Sequence, residues 1–317
     1  MELRKDYILD RWVFLASDRR KRPREFKYEE KKEEEKICYF CPGNEHLTPP
    51  EIGRIGKKKW KIRWFPNKFP AVERQGNFSI KTDNNYFTFS DAYGIHEVIA
   101  ETPDHKKQMW DLSKEEIKEV LVVYKQRIME LGRLGHIKYV LIFKNHGKEA
   151  GTSLVHSHTQ VAAINIVPAL VKEEADACKK YNKCPYCDII NIEKNSYRRC
   201  FENHAMVAFA PYASRFNFEI WLFPKRHVKS ITELSDNETS DLAEIFQNIL
   251  LKLKKLNAPY NFFLHYAPEE EDLHFHIEVT PRLAIWAGFE FSSNAVINSV
   301  TPEDAAKFYR EEIKYSK

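Results

Sequence analysis

The stretch Gly151-Thr-Ser-Leu-Val-His-Ser-His-Thr-Gln160 decides how the rest of the chain is read. His156, His158 and Gln160 stand at i, i+2 and i+4. On a β-strand, side chains two apart share a face at about 6.5–7 Å per step. Two imidazoles and an amide are therefore expected on one wall. The preceding Gly151-Thr152-Ser153 is a small-residue turn that brings backbone N–H groups and a hydroxyl close to an anion. Together these suit phosphate chemistry. A second His-x-His, His274-Phe-His276, lies in the other half of the chain.

Outward from this stretch, the halves match at many positions. Cys38-Tyr-Phe-Cys41 corresponds to Cys184-Pro-Tyr-Cys187. A single offset of 122 residues relates Glu97 to Glu219, His105 to His227 and Ser113 to Ser235. Ser113 with Glu116, and Ser235 with Glu238, have the spacing of helix capping boxes. Apolar residues then recur at helical period: Ile117, Val120, Leu121, Tyr124 and Ile128 in the first copy, Leu242, Ile245, Phe246, Ile249 and Leu253 in the second. Each helix is followed by a strand-like run, Tyr139 to Phe143 and Tyr260 to Leu264, and then by the His-x-His. The pattern predicts a duplicated α+β protein: two tandem units, mostly antiparallel sheet with one long helix packed on each. Residues 1–170 form the unit with the active-site strand. Residues 171–317 form its copy, ending in a helix announced by Thr301-Pro302-Glu303.

A Cys-x-x-Cys pair supplies two thiolates from one turn, half of a tetrahedral zinc site. The duplication nominates the other half. One structural zinc is expected on Cys38, Cys41, His105 and His156, and a second on Cys184, Cys187, His227 and His274. His265 or His276 could serve in place of His274. Four protein ligands leave no open position, so both ions would be scaffolding. A nucleic-acid zinc ribbon is disfavoured, because its two pairs would lie about 15–20 residues apart.

With His156 committed to metal, His158 is the free imidazole of the strand, a competent nucleophile toward phosphorus when neutral. Its other ring nitrogen needs an acceptor such as a backbone carbonyl. Gln160 can donate to a phosphoryl oxygen without bringing a charge. The second copy has Glu278 there, which would repel phosphate, so the first copy is read as catalytic.

Composition narrows the class. A charged fraction of 30% with a net charge of +4 makes no electrostatic case for nucleic acid or membrane. No apolar run reaches the roughly 18 residues that span a bilayer. The charged start Met1-Glu-Leu-Arg-Lys-Asp lacks a signal-peptide core, so a cytoplasmic protein with reduced cysteines is expected.

The ordered set of motifs resembles the galactose-1-phosphate uridylyltransferase family of the histidine-triad superfamily, over nearly the whole chain. The residues that carry the resemblance are Asp10–Ser17 with Arg19–Pro23, Cys38–Asn44, Phe65–Pro70, Gly94–Ile99, Thr102–His105, Phe143–Asn145 and Ala287–Glu290. The resemblance implies a nucleotidyltransferase of galactose and nucleotide-sugar metabolism that works by double displacement through a nucleotidyl-histidine on His158. Uridylate would pass from uridine diphosphate glucose to a hexose 1-phosphate. It also implies that Asn67, Asn145, Gly151 and Ser153 hold nucleoside and phosphates, that Phe289 and Glu290 face the hexose, and that Arg19 and Arg22 neutralise phosphate across a homodimer interface. Ser157 stands where the family's triplet usually has proline. In this and in Ala284 the chain looks more like a branch that includes an adenosine-diphosphate-glucose phosphorylase, which passes adenylate to inorganic phosphate. A third reading is a zinc-stabilised nucleotide-binding protein without catalysis.

Overall fold

Both long helices begin where the sequence caps them. In the computed structural model, which describes residues 2–15, 37–76 and 79–315, α1 runs Lys114–Gly132 and α4 runs Asp236–Lys255. Ser113 Oγ accepts from the Glu116 N–H and the Glu116 carboxylate accepts from the Ser113 N–H; Ser235 and Glu238 repeat the exchange. Such caps satisfy N–H groups that a helix start otherwise leaves open, at about 1 kcal/mol each. The apolar stripes named above are buried on both helices. Each Leu, Ile or Phe so buried contributes about 1.5–3 kcal/mol.

The remaining elements are β1 Glu2–Lys5, β2 Trp12–Leu15, β3 Gly53–Ile55, β4 Ile62–Pro66, β5 Lys81–Asp83, β6 Phe87–Phe89, β7 Gly94–Ala100, β8 Tyr139–His146, β9 His158–Ile164, α2 Ala169–Cys178, α3 Pro185–Glu193, β10 Arg199–Glu202, β11 Met206–Phe209, β12 Ile220–Pro224, β13 Tyr260–His265, β14 His276–Pro281, α5 Gly288–Ser293, β15 Val296–Asn298 and α6 Pro302–Tyr309. The last helix is capped by Thr301, with proline at its first position.

Ten strands form one sheet in the order β10-β11-β12-β14-β13-β8-β9-β7-β4-β3. Every pairing in it is antiparallel. Exchanging the copies leaves the order unchanged, with β8 and β13 paired at the centre from Phe143↔Phe263 to His146↔Tyr260. Helix α1 lies on β8 and β9, α4 on β11 and β12, and the two helices touch. The main apolar core runs through both halves, and a smaller cluster of Phe40, Trp60, Phe65, Val98 and Ala100 lies apart from it. The chain is thus α+β and mostly antiparallel, with a long helix on each half. A three-stranded sheet, β1-β2-β15, ties the N-terminal segment to the C-terminal one. No helix among the described residues is long and apolar enough to cross a membrane.

One expected equivalence shifts by a residue. Val98 lies opposite Gln160, whereas Trp221 lies opposite Glu278. With Gln160 and Glu278 equivalent, the counterpart of Glu219 is His96, not Glu97. A constant offset cannot survive a loop that differs in length between the copies, and the sheet register overrides it.

Candidate active site and metal centres

The first Cys-x-x-Cys turn, the loop after β7 and the bend before β9 converge. Cys38 Sγ lies 3.5 Å from His156 Nδ1, and Cys41 Sγ lies 3.4 Å from His105 Nδ1 and 3.6 Å from His156 Nδ1. Zinc with thiolate at about 2.3 Å and imidazole at about 2.0–2.1 Å in a tetrahedron sets a sulfur–nitrogen spacing of about 3.5–3.6 Å. The tautomer also fits. His156 Nε2 lies 2.7 Å from the Thr102 carbonyl oxygen, which only accepts, so Nε2 carries the proton and Nδ1 presents its lone pair to the sulfurs. Burial first, then the facing Cys38, pushes the Cys41 thiol up to about 11. A cation is what would let both sulfurs ionise.

The second half repeats the design. Cys187 Sγ lies 3.5 Å from His227 Nδ1 and 3.6 Å from His274 Nδ1, with Cys184 beside them. His274 Nε2 faces the Pro224 carbonyl at 3.0 Å and His227 Nε2 the Asp272 carboxylate at 2.8 Å. Both groups could hold a metal ion. His274, rather than His265 or His276, faces Cys187. Those two join Glu174 and Glu278 in a third group that could also hold a metal, all four residues buried. Within it, His265 Nδ1 lies 2.9 Å from Glu174 Oε2 but the pair is not aligned for a hydrogen bond.

His158 opens β9, while His156 and Ser157 precede the strand in a bend. The spacing argument expected all three polar residues within one strand; only His158 and Gln160 belong to it. His158 Nδ1 lies 2.9 Å from the His156 carbonyl oxygen, so Nδ1 holds the proton and Nε2 keeps a free lone pair. The ring is buried edge-on against Phe40, with centroids 5.4 Å apart. Burial, and after it the Lys144 ammonium, pushes its pKa down to about 4, so the imidazole is neutral at pH 7.

Gln160 is oriented by a residue that sequence reasoning passed over. His96 Nδ1 accepts from the Ala71 N–H at 3.0 Å, so its Nε2 carries a proton. Nε2 then donates to Gln160 Oε1 at 3.0 Å, which leaves the Gln160 amide NH2 available as a donor. Asn145 sits on the face of β8 that carries Phe143, opposite Gln160; its Oδ1 accepts from Asn261 at 2.8 Å. Asn67 is half-buried beside His96, and its Oδ1 accepts from the Phe69 N–H. Gly151 adopts the left-handed conformation at φ 85°, but its N–H donates to the Lys148 carbonyl and is not free for an anion. Ser153 is exposed. Phe289 and Glu290 lie on α5, where Phe289 meets Phe14 edge-on and the Glu290 carboxylate accepts from the Ala287 N–H. Neither contact leads to His158. Arg19 and Arg22 lie outside the described residues. Besides His96, the residues missed were Glu101, Lys144 and Glu174, each on a different element from the partner it serves. None carries a local spacing signal.

Comparison with known proteins adds the following. The family model described as galactose-1-phosphate uridyl transferase, N-terminal domain, matches residues 1–168. A model described as a domain of unknown function, DUF4921, matches residues 96–314. The ADP-glucose phosphorylase of Arabidopsis thaliana is 34% identical, over 98% of this chain and 92% of its own. The galactose-1-phosphate uridylyltransferase of Thermotoga maritima is 30% identical, over 98% of each chain. A crystal structure of an Arabidopsis thaliana ADP-glucose phosphorylase with bound ADP-glucose superposes with a TM-score of 0.85 at 33% identity, covering 98% of each chain.

Proposed function

The chain belongs to the galactose-1-phosphate uridylyltransferase family, and from that membership we propose that it transfers a nucleotidyl group from a nucleotide sugar by way of His158. The reading chosen is uridylyl transfer between uridine diphosphate glucose and a hexose 1-phosphate. The observation that carries transfer through His158, whichever the base, is its tautomer: Nδ1 is held by a carbonyl and Nε2 is left with its lone pair. Nε2 attacks the α-phosphorus, a P–N bond forms, and the bond to the bridging oxygen breaks to release the first sugar 1-phosphate. An oxygen of the second sugar 1-phosphate then attacks the same phosphorus and the P–N bond breaks. The Gln160 amide donates to a phosphoryl oxygen as charge develops there. Asn67, Asn145, Gly151 and Ser153 are proposed to line the nucleotide and phosphate side, and Phe289 with Glu290 the sugar side. Arg19 and Arg22 are proposed to act across a homodimer interface.

The two Cys2His2 groups are proposed as zinc sites, each closed by four protein ligands. Zinc there supplies folding energy and holds the bend that aims His158. The six cysteines are all free, which supports action in the cytoplasm, where thiols persist. The units 1–170 and 171–317 are proposed as the two copies of the duplication.

A second reading is adenylyl transfer from ADP-glucose to inorganic phosphate. Ser157, in place of the usual proline, and the likeness to the Arabidopsis phosphorylase favour it. Intact-mass measurement after incubation with UDP-glucose or ADP-glucose tests both. A gain of one nucleoside monophosphate, absent in His158→Asn, is expected with one donor. No gain with either returns the chain to the class of zinc-stabilised binding proteins.

A further inference from the structure

Behind the reactive strand, a fully buried polar cluster holds the side chains on both sides of His158 and the carbonyl of His158 itself. Glu101, the residue after β7, divides its two carboxylate oxygens between the neighbours of His158. Ser157 Oγ donates to Oε2 at 2.6 Å, and Thr159 Oγ1 donates to Oε1. Lys144 Nζ completes the group with three bonds: to Glu101 Oε2 at 2.7 Å, to Ser157 Oγ at 3.1 Å and to the His158 carbonyl at 2.8 Å. An ammonium has three donors, and all three are used. The Tyr124 hydroxyl, on α1, closes the far side at 2.6 Å from Thr159 Oγ1. The Lys144 and Glu101 side chains are 1% and 0% exposed, so neither charge reaches solvent or substrate.

A buried ion pair placed only for stability is a poor investment, because desolvation consumes most of its attraction. This pair spends its bonding capacity on three consecutive residues, with His158 in the middle. We propose that Ser157, Thr159, Glu101 and Lys144 are positioning residues that fix the backbone of His158 and so the aim of its Nε2. Ser157 then has a task of its own: a side chain without a donor at that position would leave Glu101 Oε2 with Lys144 alone. The inference rests on the reading of His158 as nucleophile. It predicts that loss of a tie lowers the rate of phosphorus attack and leaves nucleotide-sugar binding unchanged, since no tie touches substrate.

The test compares Ser157→Ala, Thr159→Val and Thr159→Ser in the full chain. Removing a hydroxyl is expected to lower kcat by about tenfold at unchanged KM, the scale of a modest misalignment of reacting atoms. Thr159→Ser, which keeps the hydroxyl, is expected to restore it, with metal content equal throughout. Wild-type kcat in both Ser157→Ala and Thr159→Val overturns the proposal. So does a parallel loss of kcat, KM and thermal stability that Thr159→Ser fails to rescue. Should wild type form no adduct with any donor, the nucleophile reading fails by itself. The positioning claim is then judged by the downfield Nδ1–H proton resonance of His158. That resonance should weaken in Ser157→Ala and Thr159→Val and stay sharp in Thr159→Ser; an unchanged signal in both hydroxyl-deleted variants refutes the strut. If Ser157→Ala does not fold, the Thr159 pair decides alone.

Discussion

Replacing His156 with alanine should separate scaffold from chemistry. The ring is fully buried, near Phe40 at 6.1 Å and Trp60 at 6.5 Å between centroids. Emptying a buried aromatic site typically costs about 3–5 kcal/mol, and a smaller ring sits at the low end. The Thr102 carbonyl loses its 2.7 Å donor. Stranding a buried acceptor adds about 1–3 kcal/mol. Any forfeited zinc affinity comes on top, in sites whose full formation is worth about 10–16 kcal/mol in small peptides. His158→Asn keeps most of the volume and a donor toward the His156 carbonyl, so it should cost less than about 1.5 kcal/mol. The two variants should therefore differ by at least about 2 kcal/mol, roughly 30-fold in the folding constant. Urea unfolding with metal-to-protein ratio is the assay. His156→Ala should hold one metal equivalent fewer than wild type and unfold at lower urea. His158→Asn should keep its metal, lose less of the midpoint than His156→Ala, and lose the covalent adduct. A His156→Ala protein with full metal and the wild-type midpoint would refute the assignment of His156 to a metal centre.

Three further outcomes are expected. Arg127 holds Glu97 through two 2.8 Å bonds, with side chains 3% and 0% exposed; Arg127→Leu should cost about 3–5 kcal/mol by stranding the carboxylate. Adding Glu97→Leu should recover most of that in urea unfolding, and a double variant no better than the single would refute it. Glu219 is pushed up to about 8 by burial and then by Glu278. A carboxyl raised in the native state binds its proton more tightly there, so its share of stability is lost as pH rises from about 4.5 to about 8; the fall of the urea midpoint across that window should flatten in Glu219→Gln. Gln160→Glu places a carboxylate at the position proposed to meet a phosphoryl oxygen, the residue type that Glu278 supplies in the second copy; adduct formation should slow by about 100-fold or more with metal content intact, and a near-normal rate would exclude Gln160 from the phosphate side.

Signals written within one element, or repeated in both copies, were legible in the sequence. Ser113 and Ser235 cap their helices, the apolar stripes of α1 and α4 are buried, and each Cys-x-x-Cys meets the two histidines that the duplication nominated. Relations settled by register between strands were not. His96 reaches Gln160 only because β7 pairs with β9, and Lys144 reaches His158 only because β8 does. Gly151 and Glu290 show a different limit. Each has the residue type that an anion or sugar site needs, yet each spends the relevant group on its own turn or helix start, a competition that residue type alone cannot reveal.

The pairing of β8 with β13 has a mechanical corollary. A ladder of backbone bonds at the middle of a ten-stranded sheet joins the two copies, and one core runs beneath both. Such a joint offers no hinge about which one half could swing over a bound ligand. Any closure over a ligand would then fall to segments outside that ladder, while the midline stays rigid. Amide exchange should accordingly be slowest across Phe143–His146 and Tyr260–Phe263, whether or not a nucleotide sugar is present.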